Sequence, residues 1–331
     1  MRMKRYLPLF ASATICAALP LLAEDAKTYP APSEIVAAAK AREWIAIELS
    51  DLIVMDLAPD SKGKPRRVII QLMPAPLSQG WVGNIRKLAA AHWWDGTSIN
   101  RVQDNYVVQW GDATEKKALP EGLAVIAQSN YQLNLVDFDA HLQAKAESSS
   151  AVDAAQGAEI AMAIDRFPNW RKVEPYNKTQ DFLKGWPLAG DDNGIWPTHC
   201  YGMVGVGRNL SPDTGTGAEL YTVIGHAPRH LDRNIALVGR VIEGIEHMSS
   251  LPRGTGALGF YEKEDERVPI LTVRLGNKAK DVPSFEYLST DSESFASYAD
   301  ARANRRDPFF NIPAGGADIC NIPVPIRRKA K

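Results

Sequence analysis

Residues 97–112 read TSINRVQDNYVVQWGD and contain two strand-like patterns, at 98–102 and 106–110, joined by a polar turn. Arg101 and several amide and acidic side chains alternate with apolar residues, and the stretch closes on Gly111 and Asp112. A strand buried on both faces would be a continuous apolar run, so this pattern is not that of a plain core strand. We predict that it carries the active site.

Composition places the chain among ordinary globular proteins. It has 331 residues, of which 45% are hydrophobic and 23% charged, enough to bury a substantial core. The formal net charge is −1, which provides no basic field for nucleic acid or for an anionic membrane. Neither partner is expected.

The N-terminus has the layout of a secretory signal peptide. Basic residues within 1–5 precede an apolar run over 6–22, and small residues around Ala23 lead into Glu24 and Asp25. A retained membrane helix is the alternative, but the run is short and is interrupted by two prolines. We therefore predict a signal peptide at 1–23 and a mature protein that is periplasmic or secreted.

Cysteine usage agrees with export. Of three cysteines, Cys16 lies in the predicted signal peptide, leaving Cys200 and Cys320. Two thiols in an oxidising compartment can pair, and we hypothesise a Cys200–Cys320 disulfide. The alternative is two inert buried thiols.

Eight short strand patterns indicate a mainly β fold. They are regularly spaced outside one long interruption, which favours a closed barrel or a sandwich over a parallel sheet. Apolar residues at helical spacing predict two helices within this region, at 77–92 and 244–251. The strand patterns lie at 51–57, 67–72, 98–102, 106–110, 200–207, 220–224, 236–242 and 269–275.

The remaining segments flank or interrupt this region. We predict a linker and a short helix in 24–49, a domain over 50–277 interrupted by an insertion at 113–199, and a C-terminal extension at 278–331 that packs on the domain. Within the insertion, alanine-rich residues 139–166 predict a helix, and the tryptophan-containing remainder is read as an ordered loop.

Other motifs carry little functional weight. GTGALG at 254–259 has the dinucleotide-binding spacing but lacks a preceding strand and a following helix, so a glycine-rich turn is the better interpretation. The six histidines include no HEXXH pair, and we predict no metal site. No G-x-S-x-G elbow is present.

The sequence around Arg101 resembles the cyclophilin signature. DGTSINRVQDNYVVQWGD at 95–112 is similar to the family's segment running from Tyr-Asp-Gly-Thr to Gln-Gly-Gly-Asp. Further blocks resemble the family in the same order, and together they cover about 50–277 outside the insertion. These blocks are 74–88, GMVGVGR at 202–208, AELYTVI at 218–224 and HLDRNIALVGRVIEG at 230–244.

The resemblance implies a closed eight-stranded barrel capped by two helices, with a partly helical insertion, and peptidyl-prolyl cis/trans isomerase activity. No bond is made in this reaction, so neither a cofactor nor a nucleophile is required. Arg101 matches the catalytic arginine, whose guanidinium can donate to the prolyl nitrogen as that nitrogen pyramidalises. Gln109 matches the glutamine that holds the substrate backbone.

Seven further residues match the family's substrate-binding positions. Four supply the apolar wall for the proline ring and Gly207 matches a small residue beside the substrate, whereas His230 and Ile235 replace the usual tryptophan and histidine. Asn100 and Glu219 also depart from the family pattern, in place of a histidine and a glutamine. The four wall residues are Tyr106, Val107, Tyr221 and Leu231.

A binding module of a different class is the alternative: a cyclophilin-fold chaperone with little turnover that uses the insertion as a partner surface. Arg101, Gln109 and Tyr106 together favour the enzyme, because a scaffold does not need all three. The expected partners are proline-containing polypeptide chains of exported proteins. The protein itself is expected to be a monomer. Since the insertion follows Asp112 directly, we also predict that it borders the substrate groove.

Overall fold

The computed structural model describes residues 29–134 and 175–329. Eight of its strands form a closed antiparallel barrel in the order β10-β5-β4-β12-β2-β3-β11-β9. The sequence prediction of a mainly β, eight-stranded barrel is confirmed. The barrel strands are β2 (Leu52–Leu57), β3 (Arg66–Leu72), β4 (Ser98–Val102), β5 (Val107–Gly111), β9 (Met203–Val206), β10 (Leu220–Val223), β11 (Leu237–Glu243) and β12 (Val268–Leu275).

Alternation along each strand separates a barrel interior from an outer face. In β5, Val108 and Trp110 are almost completely buried, whereas Gln109 between them is half-buried and faces outward. Large side chains fill the barrel, so its interior is a packed core and not a channel. Its lining is Ile53, Met55, Ile70, Leu72, Ile85, Trp94, Trp110, Val204, Leu220, Val238 and Val273.

Helix α2 (Gln79–Ala90) packs against the barrel with an apolar face that includes Trp81, Ile85 and Leu88. Helix α1 (Pro32–Ala38) precedes the barrel, and α3 (Glu246–Ser249) follows β11 and contacts β3. The two helices predicted within the barrel region are therefore present, although α3 is only four residues long.

The described part of the insertion contains a sheet of its own, so the prediction of an ordered loop is wrong there. Strands β6 (Thr179–Leu183), β7 (Trp186–Asp191) and β8 (Gly194–Pro197) pair antiparallel. Lys184 and Gly185, which join β6 to β7, both have positive φ angles, of 48° and 81°, as in a type I′ hairpin turn. Glycine and proline within these strands obscured the alternation. The helix predicted at 139–166 lies outside the described residues.

The C-terminal extension forms a second small sheet with a strand from before the barrel. Strand β13 (Phe285–Leu288) lies between β1 (Trp44–Ile47) and β14 (Ile326–Arg328), and helix α4 (Glu293–Ala303) contacts α1. A separate apolar core holds these elements together. It consists of Trp44, Phe182, Leu288, Phe295, Tyr298, Ala299, Ala303, Ile319 and Ile322, of which Phe182 comes from the insertion.

Cys200 and Cys320 form the hypothesised disulfide, which links the segment that leads into β9 to the extension. The predicted signal peptide, 1–23, lies outside the described residues. Within 29–134 and 175–329, no helix is both long and apolar enough to cross a membrane.

Candidate active site

Four outward positions form a row across four neighbouring barrel strands. Arg101 on β4 is paired with Gln109 on β5, Gln109 with Tyr221 on β10, and Tyr221 with Gly205 on β9. Directly opposed residues on adjacent strands project to the same face of a sheet. The barrel topology therefore brings an arginine and a glutamine from one hairpin next to a tyrosine that lies more than 100 residues further along the chain.

Arg101 is held in place by its neighbours. Its Nε donates to the carbonyl oxygen of Leu258 at 2.8 Å, Nη1 donates to Gln109 Oε1 at 3.1 Å, and Nη2 donates to Gln103 Oε1. The guanidinium carbon lies 5.3 Å from the centre of the Phe260 ring. Burial lowers the pKa of Arg101, although an arginine stays protonated in any case. Each Nη keeps a second hydrogen that can be donated to a substrate.

Gln109 connects Arg101 to a buried acid. Burial raises the pKa of Glu219 to about 7, against hydrogen bonds from the Asp112 backbone and from the Gln109 and Asn100 side chains that lower it. Because Gln109 Oε1 accepts from Arg101, its amide nitrogen is the donor to Glu219. The amide therefore has one defined orientation between a cation and an acid.

A small cluster of apolar side chains, which we call the apolar pocket, adjoins the row. Val107, Tyr221 and Val223 form its buried part, and Tyr106 and Ile235 pack against them. The ring of Tyr106 is stacked on that of His230, with centroids 6.4 Å apart. Leu231 is half-buried in the turn that follows Pro228 and lies outside this cluster.

Gly207 lies beside the glutamine, because a β-carbon added there would come within 3.6 Å of Gln109 Nε2. The structure thus gathers eight of the nine predicted site residues around one pocket and its rim. Leu231 is the residue that it leaves outside the apolar cluster.

A groove of about 660 Å³ extends from Arg101 and Gln109 along the barrel surface. The first segment of the insertion borders it through Ala113, Glu115, Lys117 and Leu119. Cationic and acidic side chains are balanced along the groove. The cations are Arg101, Lys117, Arg208 and Arg267, and the acids are Asp112, Glu115, Asp213 and Glu219. The groove therefore presents both signs of charge to a bound molecule.

Residues 254–260 form a turn and not a cofactor site. A short 3₁₀ turn at Ala257–Gly259 replaces the helix that a dinucleotide fingerprint requires, and the turn packs on Arg101 through Leu258 and Phe260. Neither contact could be predicted, because no local signal connects residue 101 with a loop more than 150 residues away. Gln103, two residues from Arg101, could have been found from strand periodicity.

His199 is a second residue whose surroundings the sequence did not reveal. It is completely buried, with its ring nitrogens against Asp232 and Tyr221. Among the described residues, no group of three or more histidine, cysteine, aspartate or glutamate side chains could hold a metal ion.

An eight-stranded antiparallel barrel with an arginine and a glutamine paired on adjacent outer positions beside an apolar pocket defines a cyclophilin-type domain. The family model described as "Cyclophilin type peptidyl-prolyl cis-trans isomerase/CLD" matches residues 65–275, and the chain belongs to this family. No curated protein sequence matches the chain.

Two solved structures are similar to this chain to different degrees. A cyclophilin from Hirschia baltica superposes with a TM-score of 0.57 at 20% identity, over 87% of this chain and 95% of that one. A cyclophilin type peptidyl-prolyl cis-trans isomerase from Cryptosporidium parvum, crystallised in the presence of the dipeptide Ala-Pro, matches with a TM-score of 0.35 at 9% identity, over 67% of this chain and 98% of that one. The first of these similarities shows the shared fold.

Proposed function

We propose that this protein is a peptidyl-prolyl cis/trans isomerase that acts on proline-containing polypeptides. The observation that carries the proposal is the Arg101–Gln109 pair, fixed on adjacent strands at the edge of an apolar pocket. The pocket provides a place for a prolyl ring, and the pair provides hydrogen bonds for the amide that precedes it.

Rotation about an Xaa–Pro bond is slow because the planar amide is stabilised by resonance, with a barrier of about 18–20 kcal/mol. In the twisted state the prolyl nitrogen regains its lone pair and becomes a hydrogen-bond acceptor. An Nη hydrogen of Arg101 can donate to that nitrogen, an interaction that the planar ground state does not offer. The barrier is therefore lowered without any covalent step or cofactor.

Orientation of the substrate is the second contribution. The Gln109 amide, held between Arg101 and Glu219, can bind the peptide backbone while Val107, Tyr221 and Ile235 contact the prolyl ring. When the prolyl ring is immobilised, the preceding carbonyl group can rotate against a fixed partner.

The decisive experiment is NMR exchange spectroscopy on a short peptide with one Ala–Pro bond. The wild type should accelerate cis/trans exchange, and Arg101→Ala should reduce the acceleration roughly 100-fold or more. Arg302→Ala is the matched control, because Arg302 lies on helix α4 and, among the described residues, its side chain donates to the carbonyl of Asn321 and to no other group. Negligible exchange with the wild type would refute the proposal and favour the chaperone module.

The insertion is proposed to select substrates through the segment that borders the groove. Glu115 is exposed there, so Glu115→Lys reverses a charge without disturbing the core. The comparison uses two peptides, one with an acidic and one with a basic residue near the proline. We expect kcat/KM for the acidic peptide, divided by kcat/KM for the basic peptide, to rise severalfold in the variant. An unchanged ratio would contradict a role of the insertion in substrate selection.

We further propose that the protein acts on exported chains. The support is the signal-peptide pattern at 1–23 together with the Cys200–Cys320 disulfide, a bond that persists in oxidising compartments. Mass spectrometry of the mature protein from its native cell fraction should find an N-terminus near Glu24. A full-length cytosolic chain would contradict the proposal.

A further inference from the structure

A buried histidine lies directly behind the predicted proline pocket. His199 Nε2 is 2.9 Å from the hydroxyl oxygen of Tyr221, and both residues are almost completely removed from solvent. The two rings are nearly parallel, with centroids 6.4 Å apart. The ring of Tyr221 thus belongs to the apolar pocket, whereas its hydroxyl group is hydrogen-bonded to a buried histidine.

Asp232 holds the other side of the histidine ring. Its Oδ1 is 2.9 Å from His199 Nδ1 and also accepts from the His199 backbone nitrogen at 3.0 Å. Its Oδ2 accepts from Arg229 Nε at 2.7 Å. Burial opposes ionisation of Asp232, but the hydrogen bond from His199 and the charge of Arg229 lower its pKa overall. Asp232 is therefore a carboxylate.

These contacts determine where the protons lie. A carboxylate only accepts hydrogen bonds, so His199 Nδ1 must carry the hydrogen that it donates to Asp232. Burial lowers the pKa of His199, which keeps the ring neutral, and Nε2 is then an acceptor. The Tyr221 hydroxyl group must be the donor to Nε2. Its only hydrogen is used on the side away from the pocket.

Gly205 makes this arrangement possible. Tyr221 and Gly205 are directly paired on β10 and β9, and a β-carbon on residue 205 would lie only 2.3 Å from the Tyr221 hydroxyl oxygen. The absence of a side chain lets the tyrosine ring lie across β9 and reach His199.

We propose that His199 and Asp232 are positioning residues that hold the Tyr221 hydroxyl group away from the pocket, so that the prolyl ring meets only the aromatic face. The other buried members of the pocket, Val107 and Val223, are apolar, and a free hydroxyl group beside them would have to be desolvated each time a proline ring bound. This inference rests on the proposed function, since it explains how a tyrosine can serve in a proline-binding wall.

The C-terminal extension contacts this network on the side away from the pocket. Arg229 Nη1 lies 3.6 Å from an oxygen of Asp318, and Cys200, next to His199, is disulfide-bonded to Cys320. The positions of both His199 and Arg229 are thereby tied to the extension.

The first test uses the wild-type protein and needs no activity. In ¹⁵N-histidine NMR spectra, the His199 ring should be neutral with the hydrogen on Nδ1 from pH 6 to pH 8. Tyr221→Phe, which removes the donor, should shift the Nε2 resonance of this ring alone. A hydrogen on Nε2, or no response to Tyr221→Phe, would overturn the proposal.

The second test is a double-mutant cycle on the Ala–Pro peptide. His199→Leu should raise KM roughly tenfold with a smaller effect on kcat, because the released hydroxyl group opposes binding of the ring. The same substitution in the Tyr221→Phe background should raise KM less than about twofold, because no hydroxyl group is left to release. Equal penalties in both backgrounds would show that His199 acts only through the fold.

His199→Gln guards against misfolding of the leucine variant, because a glutamine amide can donate to Asp232 and accept from Tyr221. It should restore KM to within about threefold of the wild type, and failure to improve on leucine would count against the proposal. Failure of the proposed function can be distinguished from failure of this inference. If the wild type were inactive as an isomerase, NMR would still show which nitrogen of His199 carries the hydrogen.

Discussion

Glu219 is hydrogen-bonded to Gln109, and the acid rather than the amide is the group whose ionisation changes near neutral pH. The carbonyl oxygen of Gln109 also accepts from Arg101 Nη1 at 3.1 Å, so the amide lies between the acid and the arginine. The family's usual glutamine at this position could not titrate. We therefore expect the stability of this protein to depend on pH through Glu219.

Glu219→Gln should remove a pH dependence of stability. The pKa of Glu219 is raised from 4.5 to about 7 in the folded protein, so between these values the folded state binds a proton that the unfolded state has lost. The free energy of unfolding therefore falls as pH rises from about 4.5 to about 7 and stays lower above that range. Discounted for partial exposure, the glutamine variant should be more stable by about 2 kcal/mol at pH 8 and unchanged at pH 4.

Urea denaturation at the two pH values measures this difference. Glu121→Gln is the control, since Glu121 is an exposed acid in a turn. A glutamine variant that is equally stabilised at pH 4 and pH 8 would show that packing, and not ionisation, is responsible.

Arg101→Lys should be nearly as inactive as an alanine variant although it keeps the charge. A lysine ammonium group cannot reproduce three simultaneous hydrogen bonds to Leu258, Gln103 and Gln109 while leaving a donor for the substrate. We expect kcat/KM for an Ala–Pro peptide to fall roughly 100-fold. Circular dichroism should show an unchanged fold, and activity within a few fold of the wild type would mean that charge alone is sufficient.

Gly205→Ala should damage the pocket, whereas another glycine substitution should not. The new methyl group would collide with the Tyr221 ring, and we expect a loss of about 1–3 kcal/mol in the free energy of unfolding together with a raised KM. Gly83→Ala is the matched control: Gly83 lies within helix α2 and an added β-carbon meets no atom within 4 Å. That variant should gain about 0.5–1 kcal/mol. Similar behaviour of the two variants would contradict the assigned contact.

Removing the disulfide should destabilise the protein, because the unfolded chain then gains conformational freedom. Cys200 and Cys320 are 120 residues apart in sequence, and closing a loop of this length stabilises a fold by roughly 4–5 kcal/mol when the unfolded chain is constrained. The Cys200→Ser/Cys320→Ser variant should unfold at a lower denaturant concentration than the oxidised wild type. A reducing agent should lower the midpoint of the wild type and leave that of the variant unchanged.

Much of the barrel could be predicted from the sequence because its signals are local. The eight strand patterns correspond to β2–β5 and β9–β12, and the apolar spacing around Trp81 and Leu88 corresponds to α2. The stretch at 97–112 likewise carries Arg101 and Gln109 in one hairpin, where strand pairing places them side by side. For these residues the spacing along the chain is enough to predict their neighbourhood.

The tertiary structure alone decided the remaining contacts. Leu258 and Phe260 reach Arg101, and His199 and Asp232 reach Tyr221, across sequence separations that periodicity cannot bridge. The sheet of the insertion was missed because Pro187 and Gly190 obscure the alternation within β7. Local patterns determine which face of a strand is buried, but only closure of the barrel determines which distant side chain lies against that face. Local patterns thus predict the strands, and the family resemblance predicts their barrel and its arginine, whereas the partners that hold the site in shape depend on long-range packing.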